Sequence, residues 1–169
     1  MGLDASPYGK LRIADAARQC YQSHNLILEV ESIGMPIRIL IADDDPAIRG
    51  LFRRLLEAHP GWEVCGEAVN GVEAVEQVAR VTPDLAILDL GMPQKNGIEA
   101  ARAISQLNPK LPLLLISVQE MSDQLVEAAM EVGFRGAITK SRGREIVQGV
   151  DAILHNRYFF QREDFGSAH

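Results

Sequence analysis

The chain has 169 residues and a formal net charge of -6, with 47% hydrophobic and 24% charged residues. This composition is typical of one folded domain with enough apolar residues to form a core. The negative charge argues against nucleic-acid binding, and no apolar run approaches the roughly 18 residues of a membrane span. The two cysteines, Cys20 and Cys65, are far apart and have no metal-ligand spacing, so we expect a reduced protein in the cytoplasm.

The first 34 residues differ from those that follow. They contain no apolar segment of the kind that follows a basic start in a secretory signal. Residues 10–33 could form a helix, but Ser23-His24-Asn25 interrupts its apolar pattern. We interpret residues 1–34 as a mobile extension, or as a start placed too early with Met35 as the natural first residue, rather than as a functional helix. We assign no function to Cys20, Tyr21 and His24.

Four short apolar runs end in residues that could form a site. The runs, with the residues at their ends, are Ile37–Ala42 with Asp43-Asp44-Asp45, Asp84–Leu88 with Asp89, Leu113–Ile116 with Ser117, and Ala137–Thr139 with Lys140. Such runs, bounded by turn signals, are typical of strands buried on both faces of a parallel sheet. Ligands bind at the carboxyl edge of these sheets, so the four strand ends are candidate site positions.

Helical patterns separate these runs. Asp45 can cap a helix that has Pro46 in its first position, and that helix stops at His59-Pro60-Gly61. We interpret His59 as a helix-terminal residue rather than a ligand. The remaining predicted elements, in chain order, are a strand over Trp62–Ala68, a helix after Asn70-Gly71, and helices over Gly97–Leu107, Asp123–Val132 and Glu145–Asn156.

Alternating strands and helices predict an α/β fold. We expect a doubly wound, five-stranded parallel sheet of strand order 2-1-3-4-5, which is the flavodoxin-like form. The switch point of that order lies between the first and third strands. The topology therefore brings Asp43, Asp44 and Asp89 together in one crevice.

The chemistry of this crevice points to a metal and to phosphoryl transfer. Three neighbouring carboxylates repel one another unless a cation or shifted pKa values relieve the repulsion. Hard oxygen ligands favour Mg²⁺. Phosphoryl transfer needs positioning and charge neutralisation, and a carboxylate can serve as its nucleophile.

These motifs resemble the receiver domain of two-component response regulators. The residues that carry the resemblance are Ile-Leu-Ile-Ala-Asp-Asp-Asp-Pro at 39–46, Asp-Leu-Ala-Ile-Leu-Asp-Leu-Gly-Met-Pro at 84–93, Asn96-Gly97, Ser117 and Lys140. The resemblance covers residues 37–159. We expect the receiver domain to span residues 35–160 and a tail to span residues 161–169. The ending at 157–160 resembles receivers that continue into a helix-turn-helix DNA-binding domain. We expect that domain to be lacking, either in a stand-alone receiver that acts through protein contacts or in a receiver severed from its effector.

The resemblance implies a phosphoacceptor that is not an enzyme beyond its own phosphorylation and dephosphorylation. Asp89 would accept a phosphoryl group from a sensor histidine kinase or a phosphotransfer protein. Ser117 and Lys140 would contact that group. The implied Mg²⁺ ligands are Asp44, Asp89, the backbone carbonyl of Gly91, and Asp43 mainly through water. Asp45 lies one place past the usual acid pair, so we interpret it as a helix cap.

Two positions depart from the family pattern. Ala137 stands where many receivers have an aromatic residue that rotates on phosphorylation, and Ser141 stands where many have proline. We therefore expect the signal to pass through the loop over residues 118–122 to the face formed by the fourth and fifth helices, where a homodimer could form. Two alternatives remain: a degenerate receiver that binds partners without phosphorylation, and a haloacid-dehalogenase-type hydrolase with Asp43 as nucleophile.

Overall fold

A computed structural model describes residues 34–161 of the chain. Our predictions for residues 1–33, including the helix over 10–33, and for residues 162–169 lie outside the described residues. Within that range the elements are β1 (Ile37–Ala42), α1 (Pro46–Glu57), β2 (Trp62–Ala68), α2 (Gly71–Val81), β3 (Leu85–Asp89), α3 (Gly97–Leu107), β4 (Leu113–Ser117), α4 (Asp123–Glu131), β5 (Phe134–Thr139), a 3₁₀ helix (Lys140–Glu145), α5 (Ile146–Leu154) and β6 (Phe159–Phe160).

The strands form one parallel sheet in the order β2-β1-β3-β4-β5-β6. The predicted flavodoxin-like order is thus confirmed, and a short sixth strand lies beyond β5. The central strands β3 and β4 are buried along their whole length, as their continuous apolar runs predict. Two layers of apolar side chains cover the two faces of the sheet.

Short polar side chains begin the helices that follow the strands. The Asp45 carboxylate accepts a hydrogen bond of 2.8 Å from the Ala47 N–H, which confirms the predicted cap of α1. Asn96 and Glu99 form a reciprocal capping box at the start of α3. These caps place each helix start beside a strand end, so the loops between them stay short at the carboxyl edge.

The chain after β4 differs from the prediction in three places. β5 begins at Phe134, three residues before the predicted start at Ala137. The last predicted helix, Glu145–Asn156, is found as α5, and an unpredicted 3₁₀ helix over Lys140–Glu145, in which Arg142 has non-helical geometry, precedes it. β6 contains only two residues, too few for any apolar alternation to mark it in the sequence. Among residues 34–161, no helix is long and apolar enough to cross a membrane.

Candidate functional site at the carboxyl edge of the sheet

The ends of β1 and β3 hold three carboxylates together. Asp43 and Asp89 are buried, Asp44 is exposed, and one carboxylate oxygen from each lies within 4.8 Å of the others. Because parallel strands β1 and β3 are paired in register, their carboxyl ends meet at the same edge. The predicted convergence of these acids is therefore found in the structure.

Lys140 lies between the two buried acids. Its Nζ atom is 2.7 Å from Oδ2 of Asp43 and 3.1 Å from Oδ1 of Asp89. Oδ2 of Asp43 is buried and has no partner with the geometry of a hydrogen bond. The contact of this atom with Lys140 is thus an ion pair at a poor angle for a hydrogen bond, and one ammonium offsets only part of the negative charge.

The charges at the site shift two pKa values. Burial, followed by repulsion from Asp43, raises the pKa of Asp89 against the opposing attraction of Lys140. Burial alone would lower the pKa of Lys140, but its attraction to Asp43 and Asp89 is stronger and raises that pKa. Placing the negative charge of Asp89 in this crevice therefore costs free energy, whereas the positive charge of Lys140 is favoured.

Ser117 and Gly91 complete the edge of a cavity of about 190 Å³. Its lining consists of Asp44, Asp89, Leu90, Gly91, Ser117, Val118, Gln119 and Lys140. The Ser117 side chain is buried, and its Oγ accepts a hydrogen bond of 2.9 Å from the Gln119 N–H. The Ser117 proton is not used in that bond, so it remains available to donate to a group on Asp89.

The residues at this edge fit a divalent cation. Asp43 leaves a buried oxygen without a hydrogen bond, and one carboxylate oxygen from each of Asp43, Asp44 and Asp89 lies within 4.8 Å of the other two. A purely oxygen donor set suits Mg²⁺ rather than a softer metal. Asp45 takes no part in the cluster, because its carboxylate caps α1.

Close contacts with the backbone of Asp89 and of Asp43 support the two buried acids. A side chain at Gly97 would place its Cβ 2.5 Å from the backbone oxygen of Asp89, so only glycine lets α3 begin at that distance. On the other side, Arg49 donates to the Asp43 backbone oxygen at 2.7 Å and pairs with Glu67 at 3.0 Å. Nothing in the sequence pattern marks Arg49, because one partner follows β1 and the other lies on β2.

Sequence reasoning also missed the residues of the sixth strand. Phe160 pairs with Ala137 in the β5–β6 ladder and packs against the core layer that contains Ala137. An aromatic ring thus lies beside the position where the family aromatic is missing. The next residue, Gln161, is buried and contacts Thr139 and Glu145 on either side of Lys140. The paired aromatics at 159 and 160 were the available signal, but their strand is too short to predict.

The fold and the site define a flavodoxin-like α/β domain with an acidic pocket at its switch point. The family described as the response regulator receiver domain matches residues 39–151. The chain belongs to this family. Receiver domains generally bind Mg²⁺ at an acidic pocket, and they interact with histidine kinases or phosphotransfer proteins. The roles of individual residues here remain predictions.

Solved receivers resemble the chain over most of its length. A two-component response regulator of the LuxR family from Aurantimonas sp. SI85-9A1 is 36% identical, with a TM-score of 0.70 over 73% of this chain and 89% of that one. The crystal structure of a CheX-CheY-BeF3-Mg²⁺ complex from Borrelia burgdorferi matches with 25% identity and a TM-score of 0.67, covering 71% of this chain and 90% of that chain.

One curated relative corrects a prediction. The protein-glutamate methylesterase/protein-glutamine glutaminase of Treponema denticola is 36% identical over 110 residues, which are 64% of this chain and 30% of the relative. The prediction that the protein is not an enzyme is contradicted, because such relatives are named as enzymes. The chain spans only about 30% of that relative's length. Receiver motifs do not reveal what activity they accompany, which is why the sequence misled us.

Proposed function

We propose that the chain accepts a phosphoryl group on Asp89 from a phosphohistidine of a sensor histidine kinase or phosphotransfer protein. The supporting observation is the arrangement of Asp89 in a small open cavity, 3.1 Å from the Lys140 ammonium and beside two further carboxylates. Asp89 is 3% exposed as a whole residue, yet it lines that cavity. A small phosphoryl group can therefore reach the carboxylate while bulk water is largely excluded.

In the proposed step, a carboxylate oxygen of Asp89 forms a bond to phosphorus. The phosphorus–nitrogen bond of the donor breaks, its electron pair stays on the imidazole nitrogen, and that nitrogen takes up a proton from solvent. Lys140 neutralises charge on the phosphoryl oxygens, and Ser117 donates a hydrogen bond to one of them. Positioning and charge neutralisation are the main sources of catalysis in such transfers.

Mg²⁺ belongs to the same proposal. Asp44 and Asp89 would hold it directly, Asp43 mainly through water, and the backbone carbonyl of Gly91 would supply a further oxygen. When bound, the ion would balance the negative charge of the acids and of the incoming phosphoryl oxygens. The Lys140 ammonium already lies between Asp43 and Asp89. Its positive charge offsets part of the repulsion between these two carboxylates.

Phosphorylation would act on protein contacts. The Gln119 N–H ties the Ser117 hydroxyl to the loop over residues 118–122, so a turn of Ser117 toward Asp89 would pull that loop. α4 follows the loop directly, with Ser122 as its cap. We include in the proposal that the face of α4 and α5 then pairs with a second copy of the chain.

Phosphorylation with acetyl phosphate and Mg²⁺, followed by intact mass, tests the assignment of Asp89. Wild type should gain one phosphoryl group, and Asp89→Asn should gain none because the nucleophile is missing. Asp45→Asn is the matched control, since its side chain caps α1 without entering the cluster. Undiminished labelling of Asp89→Asn would overturn the assignment. Labelling of neither protein would favour a phosphorylation-independent interaction module.

A further inference from the structure

The side chain of Gln161 bridges the two ends of the segment that carries Lys140. Its carbonyl oxygen accepts from the Thr139 N–H at 3.0 Å, and its amide nitrogen donates to Oε2 of Glu145 at 2.6 Å. Thr139 ends β5 immediately before Lys140, and Glu145 ends the 3₁₀ helix that Lys140 begins. Only an acceptor suits the Thr139 N–H and only a donor suits the Glu145 carboxylate, so both ends of the Gln161 amide are committed.

The side-chain hydrogen bonds of Gln161 lie where the backbone hydrogen bonds between β5 and β6 end. The backbone N–H of Gln161 donates to the Ala137 oxygen at 3.2 Å, as a sixth-strand residue would. In a regular parallel ladder the Thr139 N–H would next donate to a backbone oxygen of the sixth strand. The side-chain oxygen of Gln161 takes that place. Gln161 is 8% exposed, so its hydrogen bonds are largely shielded from water.

The segment that begins with Lys140 has irregular geometry, and its internal side-chain ion pair joins Arg142 and Glu145 at 2.7 Å. Thr139 makes no side-chain hydrogen bond to cap the 3₁₀ helix, and Arg142 interrupts the helix with non-helical geometry. A 3₁₀ helix is also a poorly bonded structure compared with an α-helix. Contacts from outside the segment also hold its backbone, and Gln161 supplies one at each end.

We propose that Gln161 is a positioning residue for Lys140, which rests on the proposed phosphoacceptor function of Asp89. Lys140 must present its ammonium to two carboxylates and then to a phosphoryl group, and small misplacements of such a group are costly. The bridge couples the acid pocket to the last described strand, β6. By thermodynamic linkage, if the bridge favours the phosphorylated geometry, the phosphoryl group strengthens the bridge to the same extent.

A double-mutant cycle with Lys140 tests this coupling in the full chain. Gln161→Met keeps the size of the side chain but removes both hydrogen bonds, and it should slow labelling of Asp89 by acetyl phosphate about fivefold. In a Lys140→Met background the same change should have no effect, because the ammonium to be positioned is gone. Where labelling is too slow to follow, the affinity for beryllofluoride with Mg²⁺ is measured for the same variants and compared in the same cycle. An equal effect in both backgrounds would overturn the proposal.

A swap variant separates positioning from general loss of structure. In Gln161→Glu with Glu145→Gln, the residue at 161 still accepts from Thr139 and now accepts from position 145 as well. This double variant should label within about twofold of wild type, whereas Gln161→Glu alone places two carboxylates together and should label slowly. Gln106→Met, an exposed site on α3, is the matched control and should match wild type. A swap variant as slow as Gln161→Met would contradict the proposal.

Linkage provides an independent measurement. Beryllofluoride with Mg²⁺ should slow hydrogen exchange at the Thr139 amide in wild type and leave it unchanged in Gln161→Met. Wild type that neither labels on Asp89 nor binds beryllofluoride would refute the proposed function itself. Wild type that labels normally, with Gln161→Met labelling equally fast, would refute only the role of Gln161.

Discussion

The two ends of β3 contrast a satisfied polar network with an unsatisfied one. Asp84 precedes the strand and accepts a hydrogen bond of 2.8 Å from the Arg38 N–H. Arg38 also donates to the backbone oxygens of Val81 and Thr82 and pairs with Glu63 at 3.3 Å. At the other end, Asp89 and Asp43 are buried with like charges, and one Asp43 oxygen lacks a hydrogen bond. The first end stabilises the fold, and the second gathers like charges for which we propose Mg²⁺ and a phosphoryl group as partners.

The amino end should account for stability and not for phosphorylation. Arg38→Met keeps the apolar part of the side chain but leaves the carbonyls at the end of α2 without their charged donor. We expect a loss of about 1–2 kcal/mol in the free energy of unfolding, measured by urea denaturation. The labelling rate of Asp89 should stay within about twofold of wild type, since Arg38 is on the opposite edge. If Arg38→Met labelled Asp89 much more slowly although the variant was fully folded, the two ends of β3 would not have separate roles.

Removing the charge of Asp89 at the carboxyl end should raise the free energy of unfolding, whereas Arg38→Met should lower it. The pKa of Asp89 is raised in the folded state, so folded protein holds more protons than unfolded protein between the two pKa values. The cost of its charge is absent below the unfolded pKa, grows as pH rises through this interval, and is complete above the folded pKa. Asp89→Asn should thus be more stable than wild type near neutral pH with EDTA, and the difference should vanish in acid.

Urea denaturation of both proteins at several pH values measures that difference. Mg²⁺ should reduce it, because the ion relieves the same repulsion in wild type. The Asp84→Asn variant is the control at the other end of the strand, where the carboxylate is exposed. If Asp89→Asn were less stable than wild type near neutral pH, the carboxylate would be a net stabilising group, and our account of the site would be wrong.

The Ser117 hydroxyl should link the site to α4 with a smaller, local effect. A phosphoryl group adds roughly -1.5 to -2 charge near neutral pH. Ser117→Ala should keep phosphorylation of Asp89 but reduce the change in hydrogen exchange over residues 118–132 on adding beryllofluoride. The change needs a state that the phosphoryl contact favours, and Ser117 supplies that contact. An identical change in both proteins would exclude Ser117 as the trigger.

The smallest expected effect concerns Trp62. It pairs with Ile37 at the amino end of the sheet and stacks on His59 with ring centroids 3.9 Å apart. Asp43 follows the other end of β1, about 20 Å away at 3.3 Å per residue. Titration with Mg²⁺ should barely quench Trp62 fluorescence. Strong quenching without a change in oligomeric state would mean that the metal binds elsewhere or that the two ends are coupled.

The sequence alone determined the fold order and the members of the acid cluster. Apolar runs, Pro46, Asn70-Gly71 and Asn96-Gly97 are local signals that act within a few residues, so they predict where strands end and helices begin. Once the strand order follows, the positions of Asp43, Asp44 and Asp89 follow too, because parallel strands share a carboxyl edge. The caps at Asp45 and Ser122 were predictable for the same reason.

Only the tertiary structure decided how Lys140 is held and what lies beside Ala137. Gln161 meets Thr139 across 22 residues and Glu145 across 16, and no periodicity connects such positions. Phe160 reaches Ala137 because the chain returns after α5 to add a two-residue strand at the edge of β5. Local propensity cannot predict these contacts, since each depends on two distant segments meeting in the folded chain and not on either segment alone.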